Sequence, residues 1–380
     1  MTDTAFSTQH PSSAQAAAPA SYKPVPPPAK ALFSLGNVVT LIVLAVLIAI
    51  PFYSKSFFVF QMNQMIVYAI AILGLNILTG INGQFSLGHS AFYAIGAYTC
   101  AIMVEMAGVN YMLTLPFAAV ISFIVGFLFG FPALRLDGLY LALATFALAV
   151  ATPQLLKLSL IEDYTGGVQG ILLFSETFDA PVPFGLSMDP STWVYFFSLF
   201  VFGLIYVLSM ALVKSRSGRA LMAIRDNPIA ARSMGINMAY YKATAFGISA
   251  MITGIAGALS AIVIKFVAPD SFTFFIAVLI LVGMVIGGVG WLPGCLIGAL
   301  AMLYLPNIAE VIDDIVIGAA GLIGMADALP AGSALEQQFI RLSGVIYGII
   351  LILVIYLAPS GAGGFIRAIV TRAKALTSKS

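Results

Sequence analysis

The sequence predicts an all-α polytopic membrane protein with both termini on the cytoplasmic side, and three observations carry that prediction. Of the 380 residues, 61% are hydrophobic and 8% charged, and the mean hydropathy is +1.04. Soluble domains carry roughly 25% charged residues. Apolar blocks recur at a length that suits a bilayer, which a helix crosses in about 20 residues, and they give about ten transmembrane helices. Thirteen of the 17 Lys and Arg then fall on one side: Lys23, Lys30, Arg135, six between Lys214 and Lys242, Arg367, Arg372, Lys374 and Lys379. Only Lys55, Lys157, Lys265 and Arg341 fall on the other. Short loops rich in Lys and Arg stay cytoplasmic, which orients the chain.

Taken in order, residues 1–34 are rich in Ala, Pro and Ser and end in the run PVPPP. Such a segment cannot bury a core and is expected to be a disordered cytoplasmic tail. It lacks the short basic-then-apolar layout of a cleaved signal peptide. The apolar region covers 35–358, with spans expected near 35–53, 58–80, 85–106, 111–133, 138–159, 192–213, 243–267, 272–289, 294–310 and 341–358. The third, eighth and ninth are Gly-rich, so broken or re-entrant helices are open there. This topology gives two long outer loops, 160–191 and 310–340, both acidic. They suit either a basic docking partner or plain solvation. A basic cytoplasmic tail, 359–380, closes the chain.

The inner loop 214–242, KSRSGRALMAIRDNPIAARSMGINMAYYK, holds six cations against the one anion Asp226. Its interior carries turn signals as well as charge. Asn227 precedes Pro228, which biases it away from helical dihedrals, and Asp226 or Asn227 suits the cap of a new helix with Pro228 in its first turn. That helix is expected over 229–234, ended by Gly235. Two short helices at a corner make a compact docking shape; a positive-inside loop without a partner explains the charge equally well.

Catalytic chemistry finds no foothold. His10 and His89 are the two histidines, and GHSAF around Ser90 lacks the glycine pattern of a nucleophile elbow. No GxxxxGK[ST] occurs, so ATP is not bound in the P-loop manner. Cys100 and Cys295 stand apart in apolar segments and suggest neither a metal site nor a disulfide framework. Ion-coupled carriers bury charged groups within spans. Here His89 is the exception in nearly uncharged cores, which argues against a proton- or sodium-driven carrier. Polar residues do gather in NILTGINGQFSLGHSAFYAIGAYTCA: Asn76, Thr79, Asn82, Gln84, Ser86, His89, Ser90, Tyr93 and Tyr98. A translocation pathway formed by Asn76, Asn82, Gln84, Ser86, His89 and Tyr93 is one account of this cluster. Close helix packing held by side-chain hydrogen bonds is the other.

Several motifs together resemble one family. GLNILTGINGQFSLGHSAFYAIGAYT (74–99) is similar to the signature of branched-chain amino acid ABC-importer permeases of the LivM type. GRALMAIRDNPIAARSMGINMAYYKATAFGISAMITGIAGAL (218–259) resembles that family's cytoplasmic loop and the helix after it. GLYLALATFAL (138–148), YTGGVQGI (164–171), IGGVGWLPGCLIGA (286–299) and YGIILILVIYLAP (347–359) fit in the same order, so the resemblance covers roughly 35–365. It implies a type II-like importer fold in the bacterial inner membrane and transport rather than enzyme activity. It also implies the partners: a second related permease, two cytoplasmic ATPases that bind the ATP and Mg, an outer binding protein, and lipid. No cofactor, metal or nucleic acid is implied for this chain. Within the loop, Arg219, Arg225, Asp226, Asn227, Pro228, Ala231 and Gly235 match the family pattern and would be the coupling element. Arg225 and Asp226 would meet an ATPase cleft, with Ala230 and Ala231 allowing close packing. The long outer segment 310–340 and the proline-rich tail are departures that the resemblance does not explain. A urea or short-amide permease is the alternative within the family, and an ion-coupled secondary carrier or a membrane scaffold outside it.

Overall fold

The structure, a computed structural model, describes residues 45–134, 136, 138–174 and 189–322, with 348, 349, 352, 353, 356, 361, 363 and 364 besides. The tail at 1–34, Arg135, most of the tenth predicted span and of the basic end, and 323–340 lie outside the described residues. The chain divides into two compact units, Met1–Ala49 and Ile50–Ser380. Residues 45–53 are helical (α1), and the division falls within them. The second unit holds every element from Ser56 onward.

Its elements are helical almost throughout. In order they are α2 (Ser56–Leu75), a π-helical turn (Asn76–Ile81), α3 (His89–Glu105), α4 (Tyr111–Ala133), α5 (Leu139–Leu156), α6 (Glu162–Thr165), α7 (Pro190–Lys214), α8 (Arg216–Asp226), α9 (Pro228–Ser233), α10 (Met238–Ile264), α11 (Phe274–Gly287) and α12 (Gly294–Leu322). Among the described residues, six helices are long and apolar enough to cross a membrane: Ser56–Ile81, Tyr111–Pro132, Leu139–Leu156, Pro190–Lys214, Met238–Ile264 and Pro269–Gly287. This is the architecture of a polytopic membrane protein.

Three differences from the sequence reading have physical causes. The third apolar block becomes helical only at His89, because the polar, Gly-rich stretch before it leaves the helix. The ninth block does not end at 310: α12 runs on to Leu322, since Glu310 and Asp313 stop the apolar run without stopping the helix. The structure is also not purely helical. Ile171–Leu172 (β1) pairs antiparallel with Phe266–Val267 (β2), Ile171 opposite Val267. Two residues are too few to carry any period-2 signal.

Helix α10 is the centre of the packing, lying against α2, α3 and α4. Small residues permit this. At Gly96 of α3 an added Cβ would overlap the Gly254 carbonyl of α10, so the two backbones cross in direct contact. Helices α2 and α10 are apolar all round and mostly buried, as expected of interior helices. Helices α4, α5 and α7 instead leave large apolar side chains outside, among them Phe117, Leu128, Leu143, Phe200 and Leu204. In water that surface would be unfavourable; against lipid tails it is not.

Candidate functional site

The polar cluster sits at a helix break. After Leu75 the backbone widens into the π-helical turn, with Asn82 N–H bonded to Ile77 O at 3.2 Å. The chain then leaves the helix: Gln84 N–H reaches Leu78 O at 3.2 Å, and the Thr79 hydroxyl donates to Gln84 O at 3.0 Å. Gly83 has φ +76°, and a Cβ there would press into Arg225 Cγ at 2.6 Å, so conformation and space both require glycine. Leu87 N–H donates to Thr145 Oγ1 of α5 at 2.9 Å and anchors the far end of the break.

Two side chains tie this break to distant segments. Asn76 accepts from Gly290 N–H at 2.7 Å and donates to Trp291 O at 3.3 Å, holding the turn between α11 and α12. His89 lies between Ser86 and Ser249. The Ser249 hydroxyl gives its only proton to Gly74 O at 2.7 Å, so it accepts from His89 Nε2–H, also at 2.7 Å. That places a proton on Nε2, and in the neutral ring Nδ1 accepts from Ser86 Oγ at 3.3 Å. Ser86 Oγ in turn accepts from Gly88 N–H at 3.3 Å. Both ring nitrogens are occupied within the chain.

Of the predicted pathway residues, Asn76, Asn82, Gln84, Ser86 and His89 gather in this break, and all are buried. Asn76, Ser86 and His89 bond within the chain, as the packing account expects. Asn82 and Gln84 bond to each other through one amide atom each, leaving Asn82 Oδ1 and Gln84 Nε2 buried and without a partner among the described residues. Tyr93, one helical turn on, belongs elsewhere. With Gln64 and Tyr68 of α2 and Ser260 of α10 it lines a shallow cleft, too closed here to admit a water molecule. Ser249, Thr145, Gln64, Tyr68 and Ser260 escape the sequence reading. Each is one small or amphipathic polar group in an apolar helix, and only contacts across the fold single it out.

The loop at 214–242 folds as the sequence suggests and adds a corner of its own. Ser215 closes α7 by donating to Leu212 O at 2.6 Å and starts α8 by accepting from Gly218 N–H at 3.2 Å. A Cβ at Gly218 would overlap the Leu212 and Val213 carbonyls, so only glycine lets the chain turn so tightly. Asn227 caps α9 and accepts from Ile229 N–H at 3.1 Å and Ala230 N–H at 3.0 Å. Pro228 occupies the first turn, and Gly235, φ +81°, follows the end. Asn237 then caps α10 through Tyr240 N–H at 3.1 Å.

The seven predicted coupling residues share this corner but do not face one way. Leu221, Ile224 and Ala231 are buried against the rest of the chain. Arg219 donates to Lys214 O at 3.3 Å. Arg225 is 39% exposed at its side chain and bonds on two sides: Nη1 donates to Gly80 O at 2.8 Å, while Nε and Nη2 bond Asp226 Oδ1 at 3.0 and 2.9 Å. Outward stand Ile229 and Met234, 80% and 84% exposed. The sequence singles out neither, because an apolar residue in a short amphipathic helix suggests core.

Residues 57–355 match the family described as branched-chain amino acid transport system, permease component. The chain is similar to the high-affinity branched-chain amino acid transport system permease protein LivM of Salmonella typhimurium, 37% identical over 269 residues, covering 65% of this chain and 62% of that one. It is 38% identical over 274 residues to the protein of that name from Escherichia coli, covering 66% and 63%. The matches thus span less than two thirds of those relatives' length. The permease protein BraD of Pseudomonas aeruginosa is 23% identical over 253 residues, covering 62% of this chain and 79% of BraD. No solved structure matches the chain.

Proposed function

The chain belongs to the branched-chain amino acid transport-system permease family, and from that premise we propose that it is the membrane subunit of an ATP-driven importer of branched-chain amino acids. Its spans number about ten, enough for both termini to lie inside. It resides in the bacterial inner membrane with a second permease, two ATPases and an outer binding protein, and binds no cofactor itself. Asn76, Asn82, Gln84, Ser86, His89 and Tyr93 line its half of the pathway. The loop Ser215–Gly235 is the element on which the ATPases act.

The observation that carries this reading is the capped corner of α8 and α9. A loop that is only a positive-inside signal needs no pair of capped helices and no outward-facing Ile229 and Met234. The sequence holds no P-loop, so the energy comes from another chain. His89 is bonded through both ring nitrogens to Ser86 and Ser249, the bonding of a residue that holds helices together.

Uptake of labelled leucine into proteoliposomes holding the permeases, the ATPases and the binding protein tests the proposal. Uptake that needs ATP and ignores ionophores is expected. Uptake by this chain alone on an ion gradient, or ATP-driven uptake of urea in place of leucine, would overturn it.

A further inference from the structure

We propose that Arg225 is a positioning residue that joins the coupling loop to the helix break from inside the chain, rather than a contact for the ATPase; its consequence for transport rests on the reading above. Three segments far apart in sequence meet at the Gly80 carbonyl. Helix α2 and its π-helical turn end at Ile81, so the last carbonyls there lack the next turn's N–H groups. Arg225 Nη1 supplies one, at 2.8 Å. Asp226 holds the guanidinium from its other edge, through Nε at 3.0 Å and Nη2 at 2.9 Å, which aims Nη1 at Gly80. Gly83 lies against the Arg225 stem, so closely that a Cβ would collide with it.

The third segment arrives through the backbone of Gly290. A Cβ built there would lie 3.3 Å from Gly80 O and 3.8 Å from Arg225 Nη1, and Gly290 N–H is bonded to Asn76 one turn earlier. The corner of the coupling loop, the break in the pathway helix and the turn opening α12 are therefore one joint. The break and the turn approach backbone to backbone at Gly80 and Gly290, and the Asn76 side chain bonds them. A displacement of α8 and α9 pulls on Gly80 directly, and through Asn76 on Gly288–Trp291. Arg225 and Asp226 stay partly exposed, at 39% and 66%, but their bonds run within the chain, and the more exposed Ile229 and Met234 are left to meet the partner.

The test uses the assembled complex with Arg225→Ala, Arg225→Lys and Asp226→Asn. Arg225→Ala is expected to copurify with the ATPases and hydrolyse ATP as the wild type does. Leucine moved per ATP should fall about tenfold or more, the factor that one lost charge-assisted hydrogen bond implies. Arg225→Lys should restore part of it, and Asp226→Asn, which only unaims the guanidinium, should lose a few-fold. Hydrogen exchange on the permease without ATPases should show faster exchange over both 77–84 and 288–291 in Arg225→Ala, and to a lesser degree in the milder Asp226→Asn. Loss of the ATPases from the Arg225→Ala complex, unchanged leucine per ATP, or unchanged exchange at 77–84 in both variants each overturns the proposal. The exchange measurement needs no transport. Failure of wild-type ATP-driven uptake therefore counts against the proposed function, while exchange still decides the joint.

Discussion

At the scale of single residues, the difference between a bonded and an unbonded buried hydroxyl sets the cost of losing it. Ser249 holds two bonds at once, to Gly74 O and His89 Nε2. Ser198, equally buried in α7, has no hydrogen-bond partner among the described residues. Ser249→Ala strands the imidazole N–H of His89, and a stranded buried group costs about 1–3 kcal/mol. Ser198→Ala removes a hydroxyl that already lacks a partner and should be neutral or stabilising. Thermal unfolding in detergent checks the pair, and equal shifts for both would refute the assigned network. Glycine gives a second pair. A Cβ at Gly257 of α10 would overlap the Tyr93 carbonyl, whereas one at Gly203 of α7 meets nothing within 4 Å. Overpacking costs about 1–3 kcal/mol, so Gly257→Ala should lower the unfolding temperature by several degrees while Gly203→Ala leaves it in place.

At the scale of elements, the caps decide which parts of the chain hold their shape alone. Helix α9 has six residues, too few to be stable in isolation, and Asn227 satisfies two of its first N–H groups. Asn227→Ala should cost about 1 kcal/mol, seen as faster hydrogen exchange at 229 and 230 with the global unfolding temperature unchanged. Asn227→Asp, which keeps an acceptor, should exchange like the wild type; if both variants do, the cap is not what holds the helix. The same locality explains what is legible in the sequence. The α9 cap, its proline and the Gly235 stop depend on neighbours within a few residues, and the structure places them as the sequence predicts. The break between Asn76 and Leu87 is held by Gly290, Arg225 and Thr145, between 58 and 214 residues away, and no local pattern encodes it. The polar composition of 76–93 marks the place but not the arrangement. Tyr93 therefore groups with His89 in sequence but lines a separate cleft with Gln64, Tyr68 and Ser260. Arg225 reads as a surface charge for the same reason.

At the scale of the whole molecule, exposure sorts the surface by what it must face. The outer sides of α4, α5 and α7 are broad and apolar, suited to lipid, and their side chains sit on long regular helices. Ile229 and Met234 differ in setting. They are exposed on a short helix amid Arg216, Arg219 and Arg232, a polar stretch with no reason to display apolar side chains to water. Apolar side chains inside a polar rim are the anatomy of a protein interface, in which a few residues carry most of the affinity. Ile229→Asp and Met234→Asp should leave the permease folded, since neither side chain is packed in this chain, and its unfolding temperature should not move. Their affinity for the ATPases should fall by tenfold or more, because a hot-spot residue contributes about 2 kcal/mol. Leu160→Asp supplies the control: Leu160 is 87% exposed but lies beyond the other end of α5, next to Glu162 and Asp163. It should bind ATPase as the wild type does. Equal loss for all three would indicate a general defect of the mutant chains. Undiminished binding by Ile229→Asp and Met234→Asp would move the docking face off α9.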